Sequence, residues 1–177
     1  ANFFKGTKAR VLGLYIWHSL FSFAYAYMSL TMPGDATSYY SASLRVLKDF
    51  SLGTEAVIHL TAILTNTIGL SFLGAFTVFN FFGSIGLIAV DASLRHVTEN
   101  KAPFVKKLVL LTVLLPSMNF WTGAIGKDSI AYMSTGLLLW ASIDFNRNYS
   151  LIFIAFICMF LVRPHIAGIM AFAFTFS

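Results

Sequence analysis

The sequence predicts an all-α protein, a polytopic bundle of transmembrane helices with interfacial helices in its first outer loop. Of the 177 residues, 58% are hydrophobic and only 11% are charged. A water-soluble domain carries roughly 25% charged residues, so this chain has too few polar groups to cover a surface in water. The apolar runs do not alternate with polar residues, as the strands of a membrane barrel would. Helices satisfy the hydrogen-bonding groups of the backbone within hydrocarbon, so we expect the apolar runs to be helical.

The first predicted span covers residues 11–32 and follows Lys5, Lys8 and Arg10. Its length matches the roughly 20 apolar residues that a helix needs to cross a bilayer. Basic residues collect on the cytoplasmic side of membrane proteins. We therefore expect a cytoplasmic N-terminus, which places Asp35, just beyond this span, on the far side of the membrane.

The region from residue 55 to residue 95 could hold two spans or one. Two spans would leave five basic residues inside and seven outside, whereas one span over residues 73–90 leaves eight inside and four outside. The second distribution fits the positive-inside rule, and it places Arg45, Lys48, Lys127 and Arg163 outside. Residues 56–70 are polar for a lipid-facing span and predict a helix in the outer interface. Their polar members are His59, Thr61, Thr65, Asn66 and Thr67.

Three further spans complete the prediction, over residues 108–120, 130–143 and 149–162, with an outer turn at 119–128. A sixth apolar run, residues 166–177, supplies only about twelve of the roughly 20 residues of a span. The sequence thus predicts about five spans and the start of a sixth, in one domain covering residues 1–177. We expect this domain to be a fragment of a longer membrane protein.

Pairing and packing at the helix ends can also be predicted. Asp91 should neutralise Arg95, and Asp144 should neutralise Arg147, near the cytoplasmic ends of spans. Gly83 and Gly86 indicate a small-residue face against which another helix packs. The net charge of +5 comes from short segments between spans and does not indicate nucleic-acid binding. The four histidines have no metal-ligand spacing, so no metal site is predicted.

Asp35 is the carboxylate for which a chemical role is best argued. It follows the turn-forming pair Pro33-Gly34 and opens a segment with helical spacing. Two interpretations stay open. Asp35 could accept hydrogen bonds from backbone N–H groups as the N-cap of a helix. Alternatively, it could act as a general base at the lipid–water boundary, with its pKa raised by apolar neighbours.

The predicted topology brings further polar residues to the side of Asp35. Lys127, Asp128 and Arg163 belong to separate outer segments that should converge there, since charged groups at membrane depth tend to pair and to line aqueous cavities. Lys127 and Arg163 suit phosphate oxygens, although Asp128 could instead cap the fourth span and Arg163 could snorkel. Tyr39 and Tyr40 could belong to the aromatic belt at the membrane interface or could contact a substrate, and the sequence favours neither. His165, next to Arg163-Pro164, completes the candidate substrate-binding set.

The arrangement of these residues resembles that of membrane glycosyltransferases of the C-type (GT-C) superfamily, which use polyprenyl-phosphate-linked sugars. The resemblance rests on an early acid followed by tyrosines in a long first outer loop (Asp35, Tyr39, Tyr40), on interfacial helices over residues 36–70, and on a second outer loop. Residues 116–128 resemble uncharacterised members from bacterial polysaccharide gene clusters. A second acid often found beside the first is absent, since Ala36 follows Asp35.

The resemblance implies that Asp35 is the catalytic base and that an acceptor hydroxyl attacks the anomeric carbon of a lipid-phosphate sugar. The implied partners are a polyprenyl-phosphate sugar donor, a glycan or lipid acceptor and membrane lipids, in a bacterial inner membrane. No cofactor follows from the residues, and a divalent cation is left open. Two other functions are kept as alternatives: an O-antigen or exopolysaccharide polymerase, and a non-enzymatic transporter or flippase-like subunit.

Overall fold

The computed structural model describes Phe4, residues 6–45 and residues 49–175, and this part of the chain is all-helical. Lys5 and Lys48, which entered the charge distribution above, lie outside the described residues. Nine α-helices occur in the described part: α1 (Lys8–Thr31), α2 (Asp35–Ser43), α3 (Thr54–Ala62), α4 (Phe72–Val97), α5 (Pro103–Val113), α6 (Pro116–Thr122), α7 (Lys127–Ile143), α8 (Phe145–Val162) and α9 (Pro164–Thr175). A π-helical turn, Ile63–Thr67, directly continues α3.

Three stretches are long and apolar enough to cross a membrane: Phe72–Val97, Pro103–Thr122 and Phe145–Val162. They coincide with the second, third and fifth predicted spans. In the region for which one span or two was in question, α4 covers the later part as one continuous helix, and α3 with its π turn covers the earlier part. The apolar run after Arg163 forms the shorter helix α9.

The third predicted span is not one straight helix. Pro116 follows Leu115 and begins α6, so the chain breaks between α5 and α6 at Leu114 and Leu115. Proline has no backbone N–H and disfavours helical geometry in the residue before it. The side chain of Asn119 bridges this break, because its Nδ2 donates to the carbonyl oxygens of Val113 (3.0 Å) and Leu115 (2.8 Å). The third predicted span, over residues 108–120, thus lies within a membrane-crossing stretch that bends at Pro116.

Helix α4 is the centre of the bundle, with α1 and α7 packed against it and α8 packed on the other side of α7. The backbones of α4 and α7 approach each other closely. A Cβ atom added to Gly86 would lie 2.7 Å from the carbonyl carbon of Tyr132, and one added to Gly136 would lie 2.5 Å from the carbonyl oxygen of Gly86. The predicted small-residue packing face is thus confirmed.

A polar stripe on α1 faces the bundle interior. His18, Ser22, Tyr25 and Ser29 are all buried. His18 Nδ1 lies 3.0 Å from Asn119 Oδ1, and the Ser22 hydroxyl donates to the carbonyl oxygen of Gly123 at 2.6 Å. These bonds fasten α1 to α6 and to the turn that follows it.

The segment predicted as an interfacial helix forms α3 and the π turn, and its polar residues hold α2. Asn66 Nδ2 donates to the carbonyl oxygen of Ser43 at 2.9 Å, at the last residue of α2. Thr61 and Thr65 donate to carbonyl oxygens within their own segment. The polarity of residues 56–70 therefore serves local hydrogen bonding and the attachment of a neighbouring helix.

At the opposite end of α4, Asp91 is almost fully buried and bonds two arginines. Arg95 Nε donates to it at 2.8 Å, as predicted, and Arg10 donates from Nε at 2.9 Å and from Nη2 at 2.6 Å. The bond to Arg10 joins α1 to α4, and the sequence did not indicate it. The predicted pair of Asp144 and Arg147 was wrong, since no ion pair joins them in the described part of the chain.

Replacing Gly86 with alanine should lower the free energy of unfolding by about 1–3 kcal/mol, because the new methyl group meets backbone atoms of α7 that cannot move aside. The measurement is denaturing-detergent titration of the protein in mild-detergent micelles. Gly13→Ala is the matched control, since no atom lies within 4 Å of its Cβ position. Equal stabilities of the two variants would contradict the tight α4–α7 crossing.

Replacing Asp91 with asparagine should lower the free energy of unfolding by on the order of 3 kcal/mol, because two arginines lose a buried partner. The control is Asp144→Asn, which should change stability by less than about 0.5 kcal/mol. The same detergent titration measures both variants. A loss no larger than that of the control would show that Asp91 does not hold α1 to α4.

Candidate functional site

Five of the seven predicted site residues lie together where α2 and α7 begin and α8 ends. We call Asp35, Tyr39, Lys127, Asp128 and Arg163 the charged cluster. Asp128 and Arg163 form an ion pair that joins the start of α7 to the residue after α8. Lys127 Nζ donates to Thr54 Oγ1 at 3.2 Å, which joins the start of α7 to the start of α3.

Asp35 is the first residue of α2 and does not cap it. The N-cap is Gly34, and Thr37 completes the cap: its hydroxyl accepts from the Gly34 N–H at 2.9 Å and donates to the Gly34 carbonyl oxygen at 2.7 Å. The capping interpretation of Asp35 was therefore wrong. Its carboxylate is exposed, and the described residues give it no hydrogen bond. The positive end of the helix dipole favours a negative charge at this position.

Tyr39 links Asp35 to the rest of the charged cluster. It lies one turn after Asp35 on α2 and is buried. Burial raises the pKa of its phenol, and the nearby carboxylates of Asp35 and Asp128 raise it further. A hydrogen bond with Thr54 and the charge of Arg163 act in the opposite direction and lower the pKa. All four groups are therefore within electrostatic reach of one hydroxyl, which stays protonated at neutral pH.

Tyr40 and His165 are not brought into the charged cluster. The ring of Tyr40 packs edge-on against Phe72, with centroids 5.1 Å apart, because successive helical residues point about 100° apart. His165 is an exposed residue in the first turn of α9, and the described part of the chain gives its side chain no hydrogen bond. Their substrate contacts stay predictions.

Tyr25 is a site residue that sequence reasoning missed. A Cβ atom added to Gly34 would lie 3.8 Å from its hydroxyl oxygen, and the charges of Asp35 and Asp128 reach that hydroxyl. The spacing of His18, Ser22, Tyr25 and Ser29 places four polar groups on one face of a helix, and this signal could have identified Tyr25. Thr54 was missed as well, and nothing in the sequence around it marks it.

A groove of about 510 Å³ opens beside the Asp128–Arg163 pair, between α6, α7, α8 and the start of α9. We call it the pair groove. Asp128 and Arg163 line one part of it, and Met118, Ala131, Met159 and Ile166 supply apolar walls. Trp121 also lines it, with 55% of its surface exposed and its ring packed edge-on against Tyr25 at 5.4 Å. The groove thus combines the charged pair with walls that are mainly apolar and also include Ser117, Thr122 and Thr135.

A rigid apolar layer supports the charged cluster. Tyr25, Tyr39, Phe76, Ile125 and Ile130 belong to one buried core cluster, contributed by α1, α2, α4, the α6–α7 turn and α7. The ends of α2, α7 and α8 therefore place their polar residues against the same apolar layer. The described residues contain no group of three or more His, Cys, Asp or Glu side chains that could hold a metal ion.

Chemically, the charged cluster offers a proton acceptor and two cations. The unbonded carboxylate of Asp35 can accept a proton. Lys127 and Arg163 can stabilise an anion that forms between them. The neutral phenol of Tyr39 can donate a hydrogen bond. Such a set suits transfer of a group away from a phosphate.

Comparisons with known proteins give no independent support for a function. No protein-family model, no curated protein and no solved structure matches the chain. The resemblance to GT-C glycosyltransferases thus stays an expectation based on the arrangement of residues.

Replacing Asp128 with asparagine should lower the free energy of unfolding by less than about 1 kcal/mol, because the carboxylate is 50% exposed and exposed ion pairs contribute little. Arg163→Gln should behave alike. Detergent titration of each variant against the unmodified protein provides the measurement. A loss as large as that of Asp91→Asn would show that the pair is chiefly structural.

Proposed function

We propose that this protein is a membrane glycosyltransferase that moves a sugar from a polyprenyl-phosphate donor to a cell-envelope glycan or lipid acceptor. The observation that carries the proposal is the pair groove, which begins at Arg163 and continues between apolar walls. A polyprenyl phosphate has the matching form, a charged head on a long apolar chain. Arginine presents a planar fork of donors suited to phosphate oxygens.

The proposed topology extends the three membrane-crossing stretches to five. Helix α7 has 17 residues and packs against both α4 and α8, so it would cross the membrane with them. Helix α1 has 24 residues, spans about 36 Å at 1.5 Å per residue and packs along α4. Five crossings put the charged cluster and the first residues of α1 on opposite sides.

Orientation is proposed from charge. Lys8, Arg10, Arg95, Lys101, Lys106 and Lys107 belong to the end away from the charged cluster, and this end would be cytoplasmic by the positive-inside rule. The charged cluster then faces the non-cytoplasmic side. A bacterial inner membrane is the location that the resemblance implies.

In the proposed reaction, the acceptor hydroxyl oxygen attacks the anomeric carbon of the donor sugar. The new C–O bond forms as the bond from the anomeric carbon to the phosphate oxygen breaks. Asp35 takes the hydroxyl proton, and the polyprenyl phosphate leaves with the electron pair of the broken bond. Lys127 and Arg163 stabilise the charge on the departing phosphate.

Asp128 would set how Arg163 meets the donor. The ion pair holds the guanidinium at the rim of the pair groove, and the arginine keeps donors beyond those that bond Asp128. Because the arginine is 36% exposed and the aspartate 50% exposed, both can be reached from water. Tyr39 lies between this pair and Asp35, where its phenol can orient the sugar or the acceptor.

Asp35→Asn in the full-length protein should lower transfer from a radiolabelled polyprenyl-phosphate sugar by about 10²- to 10⁴-fold, the contribution typical of a general base. The helix cap belongs to Gly34 and Thr37, so the folded structure should be kept. Asp49→Asn, which changes another exposed aspartate of the segment between α2 and α3, is the control and should retain activity.

Full transfer activity of Asp35→Asn would overturn the catalytic assignment. Loss of activity in both variants, with unchanged unfolding, would show that the effect is not specific to Asp35. Arg163→Gln should reduce transfer while Arg147→Gln, at the other end of α8, should not.

A further inference from the structure

A second groove lies on a different face of the α7–α8 pair. It has a volume of about 280 Å³ and is enclosed by α3, α4, α7 and α8. We call it the tail groove. Its walls include His59, Leu60, Phe82, Met133, Cys158 and Leu161. The pair groove is lined instead by Ala131, Tyr132 and Met159 of the same two helices.

The tail groove is almost wholly apolar along its length. The polar exception in its wall, His59, already bonds the carbonyl oxygen of Glu55 through Nδ1 at 2.9 Å and packs edge-on against Phe50. A sugar or peptide lying here would leave its polar groups without partners, which is costly in an apolar setting. A hydrocarbon chain has no polar groups, so it can lie here without that cost.

One end of the tail groove, which we call its mouth, has a lysine next to its wall along the chain. Ile130 lines the groove, and Lys127 lies three residues earlier on the same face of α7. Thr54, the hydrogen-bond partner of Lys127, lies two residues before Ala56, which also lines the groove. Among the described residues Lys127 has no carboxylate within ion-pair distance, in contrast to Arg163. Its charge is available for an anionic head group.

We propose that the tail groove seats the acceptor and that the acceptor is a lipid with a phosphate-bearing head group. Its chain would lie between α3 and α8, with the phosphate at Lys127 and Thr54. Lys127 would then serve both lipids, binding the acceptor phosphate and neutralising charge on the departing donor phosphate, whereas Arg163 would serve the donor alone. This inference rests on the proposed transferase function. The two grooves would then hold two lipids on different faces of the α7–α8 pair, with both heads meeting at the charged cluster beside Asp35.

Cys158 makes occupancy of the tail groove measurable, because it is the single cysteine of the sequence and lines that groove. The full-length protein, in nanodiscs of zwitterionic phosphatidylcholine, is treated with N-ethylmaleimide. Dodecyl phosphate should slow modification of Cys158 at lower concentration than dodecanol, which has the same chain without the charge.

Lys127→Gln should raise the half-protecting concentration of dodecyl phosphate roughly tenfold, the effect of losing one hydrogen bond to a charged group, and leave that of dodecanol unchanged. Lys107→Gln, an exposed lysine of α5, should change neither and is the matched control. Equal protection by the two compounds, or an effect of Lys107→Gln as large as that of Lys127→Gln, would overturn phosphate recognition at this mouth.

A second measurement covers the case in which Cys158 does not react in the unoccupied protein. A dodecyl phosphate carrying a diazirine at its chain end should crosslink to peptides that contain Ile63 or Cys158, the lining residues further from Lys127 and Thr54. Crosslinks confined to the pair groove would overturn the proposal.

Transfer activity measured on the same preparation separates the two proposals. An active transferase without lipid protection of Cys158 would refute the lipid acceptor and leave the transferase standing. Protection in a protein that transfers no sugar would refute both the transferase and the acceptor role, and would leave only a lipid-binding groove.

Discussion

The backbone contact between α4 and α7 is the constraint on which the rest of the structure depends. Gly86 and Gly136 allow the two helices to approach until the atoms of one helix occupy the space of the other's missing side chains. Helix α7 is thereby fixed between α4 and α8, and its first turn carries Lys127 and Asp128. The position of both cations in the charged cluster follows, since Lys127 is on α7 and Arg163 is held by Asp128. The two grooves likewise exist because α7 presents one face to each.

Much of this arrangement could be predicted from the sequence. Hydrophobic runs located α4, α7 and α8, and the distribution of lysine and arginine indicated that residues 35, 127, 128 and 163 lie at one end. That deduction needed only the number of crossings between them, since every even number of crossings returns the chain to the same side. Side-chain chemistry was less accessible. The capping of α2 by Thr37 rather than Asp35 depends on where the helix begins, to within one residue, and patterns rarely fix a boundary so closely.

Other features could not be predicted because they depend on contacts between distant residues. Arg10 bonds Asp91 across 81 positions, and Lys127 bonds Thr54 across 73. No periodicity encodes such a pair. The break at Pro116 was visible in the sequence, but the apolar residues around it suggested a continuous span. Its repair by Asn119 depends on three-dimensional proximity, and only the structure reveals it.

The polar stripe on α1 bears on the order in which the chain enters the membrane. His18 and Ser22 find their partners in Asn119 and Gly123, each 101 residues later in the sequence. During synthesis α1 therefore emerges long before the groups that satisfy it exist, and this stripe keeps α1 less apolar than the three stretches that qualify alone as membrane-crossing. The interior hydrogen bonds of α1 therefore form only once α6 and the turn after it have been made.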